Sequence, residues 1–462
     1  MSAPGAADEN DVPAVTRALA RFVAEHPSAG WGDHVEREAL RTFRNWLACA
    51  IGASHHPTLE AALAGVMELA PSRQASVLGR AERVDIASAA LLNGIASHTF
   101  DFDDTHLATI IHPAGPVASA ALAIAEHSGT SGRALLDALV IGVDVECRIG
   151  NAIYPDHYDR GWHITGSVGM LGAAAACSRL LGLDTRQTTM ALGIAASQPT
   201  GVREQFGSMT KPLHPGAAAR AGLMSALLAR HGFTASASAL EAPRGLLRTF
   251  STKHDWREIV EGLGERFEIV KNTYKPFACG VVIHPAIDGC AQLRDEANID
   301  ADAVERVELR VHPLVLELTG KRAPRTGLEG KFSVYHACAA ALLFGTAGVR
   351  EFSDACVNDP RVIALRERVS AQSDACIGEA ACEIALTLRD GRRLHKRIEH
   401  AVGSLERPVS DRELDRKFHG LVDPVLGEAA ADELLAQCAQ LPQASEVRGL
   451  VDAARVFRQH LR

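Results

Sequence analysis

The sequence predicts a mainly α protein: a large all-helical domain, with a smaller α+β lid domain inserted before a set of C-terminal helices. Three observations predict it. Alanine-rich segments with helical spacing recur from residue 15 to about 268. After Phe267 the texture changes to alternating runs, of which Val307-Glu308-Leu309-Arg310-Val311 is the clearest. From Asp411 the helical spacing returns. The boundaries that follow are 1–268 for the all-helical domain, 269–404 for the α+β lid, and 405–462 for helices that pack back on the first domain.

Taken in order, Val15 to His26 sets Val15, Leu19, Phe22 and Val23 on one helix face, and Val35 to Ala53 forms a longer helix ending in Gly52-Ala53-Ser54. Further helices are expected at Ile86–Ser97, Pro116–His127, Ser131–Val145, Ser167–Leu181, Thr188–Ala196 and Ala217–His231. Gly182 and Gly232, each followed by an apolar residue, read as glycine C-caps. Small residues at Gly169, Gly172, Ala173 and Ala176 allow close helix packing. In the lid, Val304–Leu318 opens as a strand, and Glu383–Arg389 and Arg392–His400 flank Asp390-Gly391, a strong hairpin signal. Helices are expected at Pro285–Glu296 and Tyr335–Leu343, and again from Asp411 to Leu461.

Composition narrows the function classes. A net charge of −8 and a pI near 6.2 provide no basic field for nucleic acid or anionic membrane. The apolar stretches are broken before the roughly 18 residues a membrane helix needs. The polar start MSAPGAADENDVPA is no secretory signal, and the ten cysteines form no CxxC pair. A cytoplasmic protein with reduced, mostly buried thiols is expected. GxGxxG after a strand, HExxH and a correctly spaced P-loop are all missing, so nothing in the sequence asks for a nucleotide.

Histidine placement is the first chemical signal. Six of the twenty precede proline: His26, His56, His112, His214, His284 and His312. A His-Pro step places the imidazole at a helix N-terminus, where the dipole keeps it neutral near pH 7 and able to act as a base. For His26, His56 and His312 plain helix initiation is reading enough. His112 differs, because His98-Thr-Phe-Asp101-Phe-Asp103-Asp104-Thr105-His106 precedes it. Such a cluster either binds a cation through carboxylates, orients His112, or is a solvated acidic loop. Three further clusters stand out. His163 lies between Trp162 and the start of a small-residue helix. Lys211 and His214 lie just before the helix expected from Ala217. Lys275 lies in Tyr274-Lys-Pro, where the lid begins.

Together these segments resemble the MmgE/PrpD family over nearly the whole chain. The carriers are His98 to Thr105 with His112-Pro113, Gly161-Trp-His163, Met209-Thr-Lys211-Pro-Leu-His214-Pro-Gly, Tyr274-Lys275-Pro276 and Gly330-Lys-Phe-Ser333. The family includes 2-methylcitrate dehydratase, cis-aconitate decarboxylase and iminodisuccinate epimerase. The resemblance implies a homodimer, a cleft between two domains, a small polycarboxylate substrate, no cofactor and no metal. Carried over residue by residue, the decarboxylase pocket maps onto Asp101, Thr105, His112, His163, Lys211 and Lys275. The pattern departs at His336, which follows Tyr335 where the family often has a tyrosine, and at Gly280, where the animal decarboxylase has a histidine.

The expected activity is therefore a cofactor-free lyase, a dehydratase or a decarboxylase. His112 and His163 are the acid–base pair, Asp101 orients His112, and Lys211 and Lys275 hold carboxylates. Thr105, Arg203, His214, Tyr335 and His336 complete the substrate contacts. An epimerase, a non-catalytic carboxylate-binding paralogue, and a metal enzyme built on Asp101, Asp103 and Asp104 are the alternatives. The last lacks a second acidic motif.

Overall fold

A computed structural model describes residues 14–28 and 31–456. The polar start of the chain and the last residues of the helix expected to reach Leu461 lie outside the described residues. Helices α1 (Val15–Glu25), α2 (Asp33–Gly52), α3 (Pro57–Met67), α4 (Ile86–Thr99), α5 (Ala114–Ser128), α6 (Gly132–Ile153), α7 (Ile164–Leu180), α8 (Thr185–Ala195) and α9 (Thr210–Arg230) form the first part. A two-stranded ribbon, β1 (Ala75–Ser76) with β2 (Arg83–Val84), interrupts them.

Helices α4, α5 and α7 are buried on nearly every side, which their Ala and Gly content permits. One crossing positions the site. A Cβ on Gly94 in α4 would lie 2.6 Å from Cα of Gly216 in α9, so the two backbones meet at glycine. The chain leaving α4 thereby arrives beside the start of α9. Helix ends follow the expected chemistry: Asp85 and Ser131 accept from the backbone N–H of Ser88 and Ala134, and Asp184 forms a capping box with Gln187. Gly182 and Gly232 take φ of +63° and +89°, and Leu183 and Phe233 close back to the carbonyls of Ser178 and Leu228 at 3.0 Å each.

The later part holds a four-stranded sheet in the order β6-β5-β7-β8. Its strands are β5 (Val304–Val311), β6 (Val369–Ser373), β7 (Cys382–Leu388) and β8 (Arg393–Ile398), with β5 and β6 parallel and the other pairs antiparallel. The β7–β8 hairpin turns at Asp390-Gly391. Helices α10 (His284–Glu296), α11 (Pro313–Thr319), α12 (Val334–Phe344) and α13 (Pro360–Arg366) accompany it. Helix α14 (Asp411–Leu426), followed by α15 (Glu428–Ala439), lies along α2, where Arg37 and Arg41 pair with Asp411 and Arg44 with Asp415.

Three expectations need correction, and one strand pair was not foreseen. Helix α9 begins at Thr210, seven residues early, so Lys211 and His214 lie inside it. Pro212 falls among the first N–H groups, which have no helical partner anyway, and Pro215 forfeits a single bond. His26 ends α1 instead of starting a helix, because a residue before proline avoids the α region. Strand β5 stops at Val311, and His312 accepts from the N–H of Leu314 to cap α11. Finally, β3 (Asp104–His106) pairs antiparallel with β4 (Asn272–Tyr274), a contact between distant segments that no periodicity announces.

All ten cysteines are free thiols, most of them buried. No described helix is long and apolar enough to cross a membrane.

Candidate active site

Three segments deliver the charges. The turn after α4 carries Asp101, held at φ +50°, a conformation that aspartate tolerates better than most residues. Helix α9 brings Lys211 in its first turn. Strand β4, pinned against β3 by Asp104↔Tyr274 and Thr105↔Thr273, leads directly into Lys275. Both ammonium groups donate to the Asp101 carboxylate, Lys211 to Oδ2 and Lys275 to Oδ1. Lys275 also donates to the Asp101 main-chain carbonyl at 3.2 Å.

The three side chains are 2% to 5% exposed, so their charges act with little solvent screening. Burial pushes the Asp101 pKa up, but Lys211 and Lys275 outweigh it and hold the carboxyl well below its usual range. Burial also works against the Lys275 ammonium, and Asp101 and Asp103 overcome it, so its pKa is raised. For Lys211 burial prevails over Asp101 and the pKa is lowered. One lysine is thus a firm cation and the other gives up its proton more readily.

The imidazoles face the same chamber. His112 Nδ1 lies 2.8 Å from the Asp104 carbonyl and 3.1 Å from Thr105 Oγ1. A carbonyl only accepts, so Nδ1 carries the hydrogen and Nε2 is the basic nitrogen. His163 Nδ1 sits 2.9 Å from Nδ1 of His214, and its ring meets Phe206 edge-on. Burial, followed by Lys275 for His112 and Lys211 for His163, lowers both pKa values well below that of free imidazole. Both are neutral near pH 7.

Asp101, His112, His163, Lys211 and Lys275 line one chamber of about 30 Å³, closed by Tyr158 and Phe206 from the helical side and by Gly280, Leu318 and Phe332 from the other. Thr105 and His214 stand behind His112 and His163 and do not reach its wall. The structure places Arg203, Tyr335 and His336 elsewhere. The Arg203 guanidinium lies over the Tyr158 ring, donates to the Tyr158 carbonyl at 2.8 Å and pairs with Glu317. Tyr335 packs under Arg322, and His336 donates to the Glu351 carbonyl at 2.8 Å.

Sequence reasoning missed two lysines. Lys331, 3% exposed, donates to the carbonyls of Phe100 and Ala278, and burial lowers its pKa to about 8. Lys417 donates to the carbonyls of Phe102 and Lys275 and is likewise lowered to about 8, by burial first. Lys331 stands inside the Gly330-Lys-Phe-Ser segment, where a signal existed; Lys417, on an exposed-looking helix, had none. His98 and Asp103 form a buried pair at 2.7 Å beside His112. Ring nitrogens of His98, His112 and His163 lie within 4.8 Å of one another, as do ligand atoms of His98, Asp101 and Asp103, so either set among the described residues has the spacing to hold a cation.

The MmgE/PrpD N-terminal domain matches residues 17–259, and its C-terminal domain matches 277–441. The chain belongs to the MmgE/PrpD family. A cis-aconitate decarboxylase-like protein, oryM, of Aspergillus oryzae is 28% identical over 440 residues, 89% of this chain and 91% of that one. The cis-aconitate decarboxylase of Mus musculus is 29% identical over 380 residues, 78% of this chain and 77% of its own. That of Aspergillus terreus is 26% identical over 459 residues, 93% of each. The MmgE/PrpD match spans both the segment that carries Asp101, His112, His163 and Lys211 and the region after Lys275.

Replacing Asp101 by asparagine leaves two buried ammonium groups without the carboxylate that both of them contact. The variant should lose about 3–5 kcal/mol of stability at pH 7. Without the carboxylate, the folded-state lysine pKa values fall below the unfolded value, and the folded chain binds fewer protons. The variant's stability should therefore rise with pH from 7 towards 9.5. Denaturant unfolding at both pH values checks this; wild-type stability at pH 7 would remove Asp101 from its role as counter-charge.

Proposed function

We propose that this chain is a cofactor-free lyase that decarboxylates a small unsaturated di- or tricarboxylate, with dehydration of the corresponding hydroxy acid as the neighbouring reaction. The observation that carries this is a buried surplus of positive charge. Lys211 and Lys275 line the chamber, and Lys331 and Lys417 lie behind it on the backbone carbonyls of Phe100, Ala278, Phe102 and Lys275, against two carboxylates, Asp101 and Asp103, that stay ionised. Buried charge without a partner is costly, so a dianionic or trianionic ligand completes the site. The decarboxylase relatives point to the same chemistry.

In the proposed reaction, Lys275 and Lys211 hold carboxylates that remain on the product. The C–C bond to the departing carboxylate breaks, and its electron pair passes into the conjugated skeleton, where the retained carboxylates and their lysines stabilise it. One proton from His112 or His163 restores the valence. Both imidazoles are neutral at rest, and an arriving polyanion favours their protonated form, so the substrate itself charges the acid. We place the seam between residues 1–268 and the 269–404 lid at this chamber. A space of 30 Å³ holds about one water, so substrate enters as the seam opens. The active form is taken to be a cytoplasmic homodimer.

Proton NMR of cis-aconitate turnover in deuterated water should show one solvent deuteron in the product and none in recovered substrate. His112→Gln and His163→Gln should each lower kcat roughly 10²–10⁴-fold. Turnover of both within a few-fold of wild type would move the proton to another group. Exchange into starting material would favour the reversible hydration of a hydro-lyase, and a solvent deuteron only at the inverted carbon of a chiral dicarboxylate such as iminodisuccinate would favour epimerisation.

A second expectation concerns pH. Lys331 loses its proton as pH rises through about 8, and the positive field behind the chamber weakens. KM for the polyanion should climb about tenfold between pH 7.5 and 9.5, and Lys331→Met should flatten that rise. A wild-type KM constant across this range would exclude Lys331 from substrate binding.

Cofactor independence has its own check. Full activity should survive prolonged chelation. Loss with the chelator, and recovery with one cation, would assign His98, His112 and His163, or His98, Asp101 and Asp103, to a metal.

A further inference from the structure

The chamber that holds the lysines adjoins a larger one. Ile110, Val281 and Val282 belong to its wall and equally to the wall of a second cavity of about 160 Å³. Leu107, Pro285 and Val402 continue that second wall in apolar side chains. Its polar groups are ill suited to an anion. Glu379 lies exposed on its lining with a negative charge, and His284 is buried and held neutral near pH 7. The Ser404 hydroxyl already accepts from the N–H of Arg407.

Two residues shape these walls: Gly280 in the wall of the lysine chamber alone, and Ile110 in both walls, at the end of the turn closed by the His106↔Ile111 bridge. Gly280 has φ −56°, which any residue adopts, and a Cβ there would lie 3.5 Å from Thr319 Cγ2 and 3.7 Å from the Lys331 carbonyl, ordinary contacts. Neither backbone nor packing demands glycine at this position of the lysine chamber's wall. Ile110 is held at φ +58°, where a β-branched residue is strained. Strain of this kind persists where a site fixes a side chain in place. Here it fixes the side chain that divides the two spaces.

We propose that the polycarboxylate held by the lysines carries an apolar substituent, an alkyl arm of up to about six carbons, which passes Ile110, Val281 and Val282 into the second cavity. The length follows from volume, since a cavity of about 150 Å³ holds a six-carbon guest. Glu379 at the lining repels an anionic arm in the same place. The proposal deepens the carboxylate-lyase function above and rests on it.

The test uses the full chain and unsaturated tricarboxylates of the aconitate skeleton bearing hydrogen, methyl, butyl or hexyl. Turnover is followed by NMR and binding by calorimetry. kcat/KM should rise roughly two- to fourfold per added carbon up to hexyl, as burial of a methylene implies. Ala380 lies exposed on the outer wall of the second cavity. Ala380→Trp should lower the hexyl-to-hydrogen ratio of kcat/KM at least tenfold. A series that is flat or falls with chain length, while cis-aconitate itself is turned over, overturns the alkyl arm and leaves the lyase function standing. Affinity that grows with chain length without any turnover supports the arm and overturns the lyase. Neither binding nor turnover of any member overturns both.

Discussion

Three charges are buried where Asp101 meets Lys211 and Lys275, and each alone would cost several kcal/mol to remove from water. They are tolerable only together, at hydrogen-bond distance, and this requirement propagates outwards. It places the first turn of α9 beside the turn after α4, which the Gly94–Gly216 crossing makes possible. It also draws in the end of β4, whose pairing with β3 supplies the necessary register. The chamber is what remains between these anchored segments, and its histidines owe their neutrality to burial and to the same lysines.

The resulting electrostatics divide labour between groups of the same type. Lys275 and Lys211 contact one carboxylate, yet their pKa values move in opposite directions: at Lys275 Asp101 and Asp103 together outweigh burial, whereas at Lys211 burial, with repulsion by Lys275, prevails over Asp101. Asp103 and Asp104 are sequence neighbours and also diverge. The His98 ring, at 2.7 Å, helps to hold Asp103 below the usual carboxylate range despite burial, whereas burial and Asp103 itself raise Asp104 to about 7. Composition shows none of this; it depends on which partner lies within a few ångströms.

Much of the helical part was legible in the sequence, because alanine-rich runs, acidic caps and glycine ends act over a few residues. The start of α9 was not, since Pro212 and Pro215 look like breakers until their place in the first turns is known. The β3–β4 pair escaped for a different reason: three residues on each side show no period, and the two segments are more than 160 residues apart. Among site residues, His112, His163, Lys211 and Lys275 stood out as chemical groups beside helix or domain boundaries. Arg203 stood out equally, yet Glu317 and Tyr158 hold it, because a free guanidinium and a paired one are the same letter in a sequence. Lys331 and Lys417 were overlooked on the converse ground, that lysine is usually a surface residue.

The left-handed backbone at Asp101 narrows the routes by which this family member can drift. Few side chains accept φ +50° without strain: glycine, asparagine and aspartate foremost. Of these only aspartate brings a charge. Glutamate would keep the charge but must bear the backbone penalty and overreach two ammonium groups set for the shorter arm. Each tolerated exchange at this position removes the counter-ion, and each charged exchange strains the chain. A descendant lineage can repaint the walls of the chamber, at Gly280 or Val282, far more freely than it can alter this carboxylate. Diversification of substrate is therefore expected to run through the apolar rim, with the charged centre inherited unchanged.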